Sequence, residues 1–395
     1  MDILNKIRAS SKHYAHDIIK IRRSIHQNPE LSFQEFKTSK YIYETLKSLK
    51  LDSVIKFPST GVVALLNYNG SSHTKCAGLR ADIDALPLTE RTNLPFESKN
   101  PGIMHACGHD AHTAMLFGAA MILSDLKKEL TGCIKFIFQP GEEKNPGGAS
   151  ILIKQGVLKN PGVDVIFGQH LLPNIPAGKF GFCPGVMMAS QDEIYITVVG
   201  KSGHASQPHK AIDPIVIASQ VVLAIQNISS RYTNPYEPLI ISIGKIDGGS
   251  ATNIIPQEVK LSGTVRALNS KQRKRILRLI ERTVKGITAS AGAKYKFEIS
   301  HGYPELVNDN NITSFSSTAA VEYGGAKNVF RAEKMMTAED FAYYLKKIPG
   351  TFYWLGAGNT TGLHTPTFNI DESILPYGAG FMAYLAWKYL EGYSK

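Results

Sequence analysis

Between Met104 and Thr113 the chain reads Met-His-Ala-Cys-Gly-His-Asp-Ala-His-Thr, ahead of the apolar run Ala114 to Phe117. His105, Cys107, His109, Asp110 and His112 thus bring one thiol, three imidazoles and a carboxylate into one short stretch. Thiolate and imidazole are the ligands that borderline-soft divalent metals prefer, so the stretch reads as part of a metal site. Cys107 and His109 flank a single glycine. In an extended or turning backbone, residues i and i+2 project to one side, so both can reach the same ion. The competing reading is a buried cysteine beside a helix-capping histidine.

Other segments carry matching donors. The apolar run Ile134 to Gln139 ends at Pro140-Gly141-Glu142-Glu143. Two adjacent carboxylates on a turn diverge, so one can bind a metal while the other performs a proton task. The alternative is a solvated acidic turn. Val163 to Gln169 ends in His170, and His364 follows the strand around Trp354 within Gly362-Leu363-His364-Thr365-Pro366. Leu79 to Pro87 contains Asp82 and Asp84 at the end of another apolar run, where an acid could orient a histidine ligand or hold a base.

These residues need a scaffold that gathers strand ends. Helical periodicity covers 11–23, 32–49, 109–130, 147–156, 311–322, 338–347 and 372–391, with Ser32 and Glu35 fitting a capping box. Short apolar runs predict strands over 61–67, 76–83, 132–139, 163–170 and 351–356. The alternation implies a three-layer α/β domain with sites at the carboxyl ends of its strands. From about residue 187 the texture changes to strand 193–199, helix 214–228, strands 239–246 and 259–267, helix 271–287 and strand 294–299. That βαββαβ order predicts a ferredoxin-like α+β module. The expected organisation is a discontinuous domain, 1–186 with 303–395, interrupted by an inserted domain over 187–302.

The 395 residues exceed what one core usually supports, which agrees with two domains. No window approaches a membrane span, and the N-terminus lacks the layout of a signal peptide, so a cytoplasmic protein with no membrane partner is expected. Cys76, Cys107, Cys133 and Cys183 follow no small-scaffold spacing, which suits a reducing compartment. The net charge of +11 is dispersed. Its densest run, 271–278, reads as the polar face of a helix without aromatic partners, so nucleic acid is excluded and small anionic substrates are favoured.

Together these segments resemble the MH-clan metallopeptidase family of aminoacylases and carboxypeptidases. More narrowly they are similar to its amidohydrolase branch of hippurate hydrolases, N-acyl-amino-acid amidohydrolases and plant auxin-conjugate hydrolases. The resemblance rests on 26–31, 80–87, 105–110, 139–143, 203–205, 252–256, 263–266 and 338–341, in that order. It implies a zinc-peptidase-like αβα catalytic domain with a lid and dimerisation insert. Cys107, His109, Glu143, His170 and His364 would bind two divalent metal ions, with manganese or zinc ahead of cobalt and nickel. Glu142 would be the general base, with Asp84 and His204 completing the catalytic set. Asn253 and Arg266 would hold the free carboxylate of an N-acyl amino acid, a task suited to the forked guanidinium. Members of the wider family carry His-x-Asp where this chain has Asp82 and Asp84, so Asp82 is not counted as a ligand. The implied reaction is amide hydrolysis of N-acyl amino acids by a homodimer or higher homo-oligomer, with His204 reaching a transition-state oxygen in its own or the partner's site. The alternatives are a dipeptidase or carboxypeptidase, and deacetylation of an N-acetylated diamino acid. A metal-binding scaffold without catalysis is disfavoured by the intact Glu142-Glu143 pair.

Overall fold

A computed structural model describes residues 2–70, 74–358 and 360–392. The chain divides into two compact units, Met1–Gly185 with Val307–Glu333 and Asp340–Lys395, and Val186–Leu306 with Lys334–Glu339.

The first unit is built on an eight-stranded sheet. Its order is Ser53–Lys56, Val62–Leu66, Cys133–Gln139, Cys76–Asp82, Val165–Leu172, Gly350–Gly356, Phe180–Phe182 and Val329–Arg331. The four central strands, Cys133–Gln139 to Gly350–Gly356, run parallel to one another. Their carboxyl ends therefore share one edge, and Asp82 lies opposite Gln139 while His170 lies opposite Trp354. These strands are buried almost throughout, as expected for parallel strands covered on both faces.

One face is covered by Ile3–His13, Ala15–His26, His109–Asp125 and Ile374–Gly392. The His109–Asp125 helix is buried continuously from His109 to Leu123, so it is a core helix rather than an amphipathic one. Gly118 permits its contact with the C-terminal helix: a Cβ there would lie 2.6 Å from both the Ala379 Cβ and the Ile18 Cδ1. The shorter helices Gly148–Lys154 and Ala342–Leu345 pack on the other face.

Three local expectations need correction. The first predicted helix is two helices, breaking at Tyr14 without glycine or proline. The helix expected over 338–347 is confined to Ala342–Leu345, because Asp340 is drawn into a buried polar network. The capping box does not form: Ser32 Oγ donates to Asp84 Oδ2 at 2.6 Å, and Glu35 makes no side-chain bond to the helix Phe36–Lys47 that follows it.

In the second unit, four antiparallel strands are ordered Leu239–Asp247, Glu258–Ala267, Ser190–Val199 and Lys294–His301. Helices Pro214–Arg231 and Ser270–Ser290 bury their apolar faces against this sheet. Asp213 and Asn269 cap them, each accepting from two backbone amides of the first turn. This is the split βαβ arrangement. Beyond the sheet, Gly203–His204 and Ile254–Ile255 form a short antiparallel ribbon. Residues 334–339 return to this unit through Ala189 N–H, which donates to the carbonyls of Met335 and Thr337.

Candidate metal centre and active site

The centre forms where the parallel strands end. Gly108, with φ +87°, caps the His109–Asp125 helix in a left-handed turn, and a Cβ there would come 3.0 Å from Leu171 Cδ1. That turn brings Cys107 and His109 into one cluster of potential ligand atoms. Cys107 Sγ lies 3.6 Å from His170 Nε2, and His364 Nε2 lies 3.2 Å from Glu143 Oε1. Three overlapping groups have potential ligand atoms within 4.8 Å of one another: Cys107, His109 and His170; Cys107, Glu143 and His364; and His109, Glu142 and Glu143. All five expected ligands and the expected base therefore meet in the first unit.

The histidines are oriented from behind. His109 Nδ1 lies 3.1 Å from Asp84 Oδ1 and 3.0 Å from the Asp84 carbonyl, which puts its proton on Nδ1. His170 Nδ1 faces the Leu171 carbonyl at 2.7 Å. Each ring thus turns Nε2 toward the centre, the arrangement that fixes a metal-binding tautomer. His109 Nε2 is buried without a hydrogen-bond partner and faces Glu143 Oε1 at 4.0 Å. Burial first, and then the Glu143, Glu142 and Asp82 charges, push the Cys107 thiol well above its usual range. Burial alone would lower His109, but Asp82, Asp84 and Glu143 outweigh it and push the imidazole up to about 10. Burial and the neighbouring His112 hold His170 well below the ordinary range, so its imidazole is neutral. A carboxylate field that retains a proton on His109 favours cations in its place, and cations would in turn deprotonate the thiol. The mixed sulfur, nitrogen and oxygen set fits divalent metal ions.

Asp82 and His112 form a further cluster with His109 but serve as braces. Asp82 Oδ2 accepts from Arg80 Nη1 at 2.7 Å, and Oδ1 accepts from His112 Nδ1 at 2.7 Å. His112 Nε2 then accepts the Leu171 N–H at 3.0 Å, so both imidazole nitrogens are engaged beside the His170 strand. Asp110 Oδ2 accepts from Arg22 Nε and His26 Nδ1, both at 2.8 Å. His105 is buried with neither ring nitrogen hydrogen-bonded, and burial pushes it down to about 4. Of the five coordinating groups in that segment, only Cys107 and His109 belong to the ligand cluster.

Sequence reasoning named Asp84 but missed Glu35 and Asp340, the other acids that hold the loop carrying Glu142 and Glu143. Glu35 Oε1 accepts the Gly141 N–H at 2.8 Å, and Asp84 Oδ2 accepts the Glu143 N–H at 2.9 Å. Asp340 accepts from Gln139 Nε2, from the Ala149 N–H and from Arg80 Nη2, at 2.8 to 2.9 Å. The segments 26–31 and 338–341 point to this neighbourhood, but nothing in them identifies these bonds.

His204, Asn253 and Arg266 lie in the second unit. The first two are brought together, since the Ala205 N–H donates to the Asn253 carbonyl and His204 pairs with Ile254 in the ribbon. His204 is exposed, and its Nδ1 accepts from the Ser206 N–H at 3.1 Å, leaving Nε2 facing outward from that turn. Arg266 is elsewhere on the sheet, half-buried, with Nη1 donating to the Met336 carbonyl at 3.1 Å.

Residues 78–388 match the family described as peptidase family M20/M25/M40. An N-acyl-L-amino acid amidohydrolase of Geobacillus stearothermophilus is 45% identical over 292 residues, covering 74% of this chain and 78% of that protein. An N-acetylcysteine deacetylase of Bacillus subtilis (strain 168) is 40% identical over 376 residues, covering 95% of this chain and 97% of that one. Among solved structures, a dinuclear metal-binding peptidase of the M20 family from Bacillus subtilis superposes with a TM-score of 0.83. It has 38% identity and covers 96% of this chain and 99% of its own.

Proposed function

The chain belongs to peptidase family M20/M25/M40, and from that premise we propose that it is a metal-dependent amidohydrolase that cleaves N-acyl amino acids into a carboxylic acid and a free amino acid. The observation that carries this reading is the place of Glu142. It is a buried acid within the ligand cluster but one residue from the carboxylate that serves there as donor. A storage or scaffold site has no use for such a group.

Cys107, His109, Glu143, His170 and His364 would hold two divalent ions, manganese or zinc, which supply a lowered water pKa and positive charge beside the scissile carbonyl. Glu142 takes the proton of the attacking water and delivers it to the leaving nitrogen, so one water is consumed and the C–N bond breaks. Asp84 acts through others, fixing the His109 ring and the Glu143 amide. His204 supplies a donor to the carbonyl oxygen, and Asn253 and Arg266 receive the substrate carboxylate, the guanidinium as a forked pair.

The second unit gives this assignment a further consequence. Glu258 to Arg266 is eight residue steps along one strand, roughly 26 Å at about 3.3 Å per step. His204 and Asn253 lie beyond the Glu258 end. An N-acyl amino acid spans about 10 Å, so His204 and Arg266 of one chain serve different substrate molecules. This separation supports a homodimer in which His204 and Asn253 complete the partner's site. Ile215, Val216 and Leu223, exposed apolar residues on helix Pro214–Arg231, support a second copy packing on this unit. The cytoplasmic assignment is supported by four buried cysteines that form no disulfide among the described residues. Among the described residues no helix is long and apolar enough to cross a membrane.

The test combines substrate, metal and base. N-acetyl and N-benzoyl amino acids should be hydrolysed ahead of dipeptides. Chelation should abolish turnover, and manganese or zinc should restore it. Glu142→Gln should retain metal by elemental analysis and lose roughly 10²–10⁴-fold in kcat. Full activity in that variant, or turnover indifferent to chelator in metal-free protein, would overturn the reading.

A further inference from the structure

Glu35 is a buried carboxylate at the N-cap position of helix Phe36–Lys47, yet it does not cap that helix. Glu30 does so instead, accepting from the Lys37 and Thr38 amides at 3.2 and 2.8 Å and from the Thr38 hydroxyl at 2.9 Å. Released from the local role, Glu35 turns inward. Its Oε1 accepts from Gly141 N–H at 2.8 Å and Phe33 N–H at 2.9 Å, and its Oε2 accepts from Thr60 Oγ1 at 2.7 Å. Among the described residues no cationic side chain forms an ion pair with it.

Every one of those donors lies on left-handed backbone. Phe33, Thr60 and Gly141 have φ of 66°, 63° and 59°. Of the seven described non-glycine residues with positive φ, four are asparagines, which tolerate that region. The other three are Phe33, Thr60 and His364. Two of these meet at one carboxylate, and the third is an assigned metal ligand. For a β-branched or bulky residue such a conformation is an outlier that persists only where the surroundings over-determine it, and these outliers cluster at functional sites. The Phe33 ring also fills the space beside Gly141, where a Cβ would come 2.2 Å from its Cε1.

What these contacts determine is the Pro140–Gly141 peptide, one residue ahead of Glu142. Asp84 holds the peptide just after it, through the Glu143 amide. We propose that Glu35 is a positioning residue for the base, fixing the Gly141 peptide so that Asp84 and Glu35 together set where the Glu142 carboxylate is presented. The proposal rests on Glu142 being the base. A buried acid without a counter-ion is a costly way to hold a chain in place, since burial first and the Asp84 charge second push it up to about 7. Position, rather than stability, accounts for it.

Three variants of the full-length, metal-loaded protein test this. Glu35→Ala removes the acceptor, Glu35→Asp withdraws it by one methylene while keeping the charge, and Glu35→Gln keeps an acceptor at the same reach. Each is measured for kcat, KM, metal content and amide hydrogen exchange across residues 140–148. Alanine and aspartate should raise exchange in that segment alone and lower kcat about 100-fold, with KM and metal content unchanged. Glutamine should restore protection and bring kcat within about 5-fold of the parent. The aspartate variant decides the matter where alanine fails to fold. Unchanged exchange in the aspartate and alanine variants overturns the proposal, as does raised exchange with full kcat, or a loss of kcat that follows loss of metal. A parent protein inactive on every acyl amino acid would instead sink the functional reading, while the exchange measurement still decides whether Glu35 holds the loop.

Discussion

Glu35 carries a second, thermodynamic consequence. Its ordinary pKa is about 4.5, and burial followed by the Asp84 charge pushes it up to about 7. Between those values the folded chain retains a proton that the unfolded chain has lost, so stability falls as pH rises through that window. Glu35→Gln removes the dependence. In chelator-treated protein the variant should gain on the parent from pH 4 to pH 8 by up to about 3 kcal/mol, the free energy of about 2.5 pKa units. Urea unfolding at the two pH values measures the change, and a gap equal at both would contradict the assignment. Asp340, pushed up to about 6 by burial against the opposing effect of Arg80, contributes in the same direction in both proteins and cancels. A residue that costs the fold stability at neutral pH while bonding the catalytic loop is under a functional constraint.

At the scale of elements, the loop between Gln139 and Ala149 is held closely from both ends, by Glu35 and Asp84 and by Asp340. Gly141→Ala adds a side chain at φ +59°, where the new Cβ would overlap the Phe33 ring. Gly156 has φ +89° but nothing within 4 Å of a Cβ. Both substitutions should cost about 1–2 kcal/mol in backbone strain. Only Gly141→Ala should also lose kcat, by about 100-fold, because only there must the peptide preceding Glu142 move. Thermal melts and steady-state kinetics on the pair separate strain from positioning, and equal kcat in both would refute the claim. The contrast also shows what sequence can reveal. Long apolar elements such as His109–Asp125 and Cys133–Gln139 are legible because burial is continuous along them. Ser53–Lys56, Phe180–Phe182 and Val329–Arg331 are only three or four residues long and leave no period to read. The metal donors are legible by side-chain type and by their place at strand ends. Glu35 and Asp340 are not, since their loop partners Gly141 and Gln139 lie 106 and 201 positions away. The capping box fails for the same reason: its two polar residues find distant partners in Asp84 and Gly141 that outcompete the local helix end.

For the whole molecule, the decisive question is how many chains make one site. The five proposed metal donors and the proposed base lie in the first unit, while His204, Asn253 and Arg266 lie in the second with roughly 26 Å of strand between the Arg266 position and the Glu258 end. If His204 completes a partner's site, two defective proteins should repair each other. Glu142→Gln keeps a working His204, and His204→Ala keeps a working Glu142. Mixed after dissociation and reassociation, half of the dimers contain one chain of each. In these, the chain with intact Glu142 receives intact His204 from its partner, while the other site lacks both. About one quarter of parental activity should therefore return at equal concentrations, with neither variant active alone. If His204 served its own chain, every site in the mixture would lack one group and no activity would return. A Leu223→Asp substitution, placed on the exposed apolar face of helix Pro214–Arg231, should yield monomers that retain metal but lose turnover as completely as His204→Ala. Sedimentation beside the activity measurement distinguishes loss of the partner from loss of the fold.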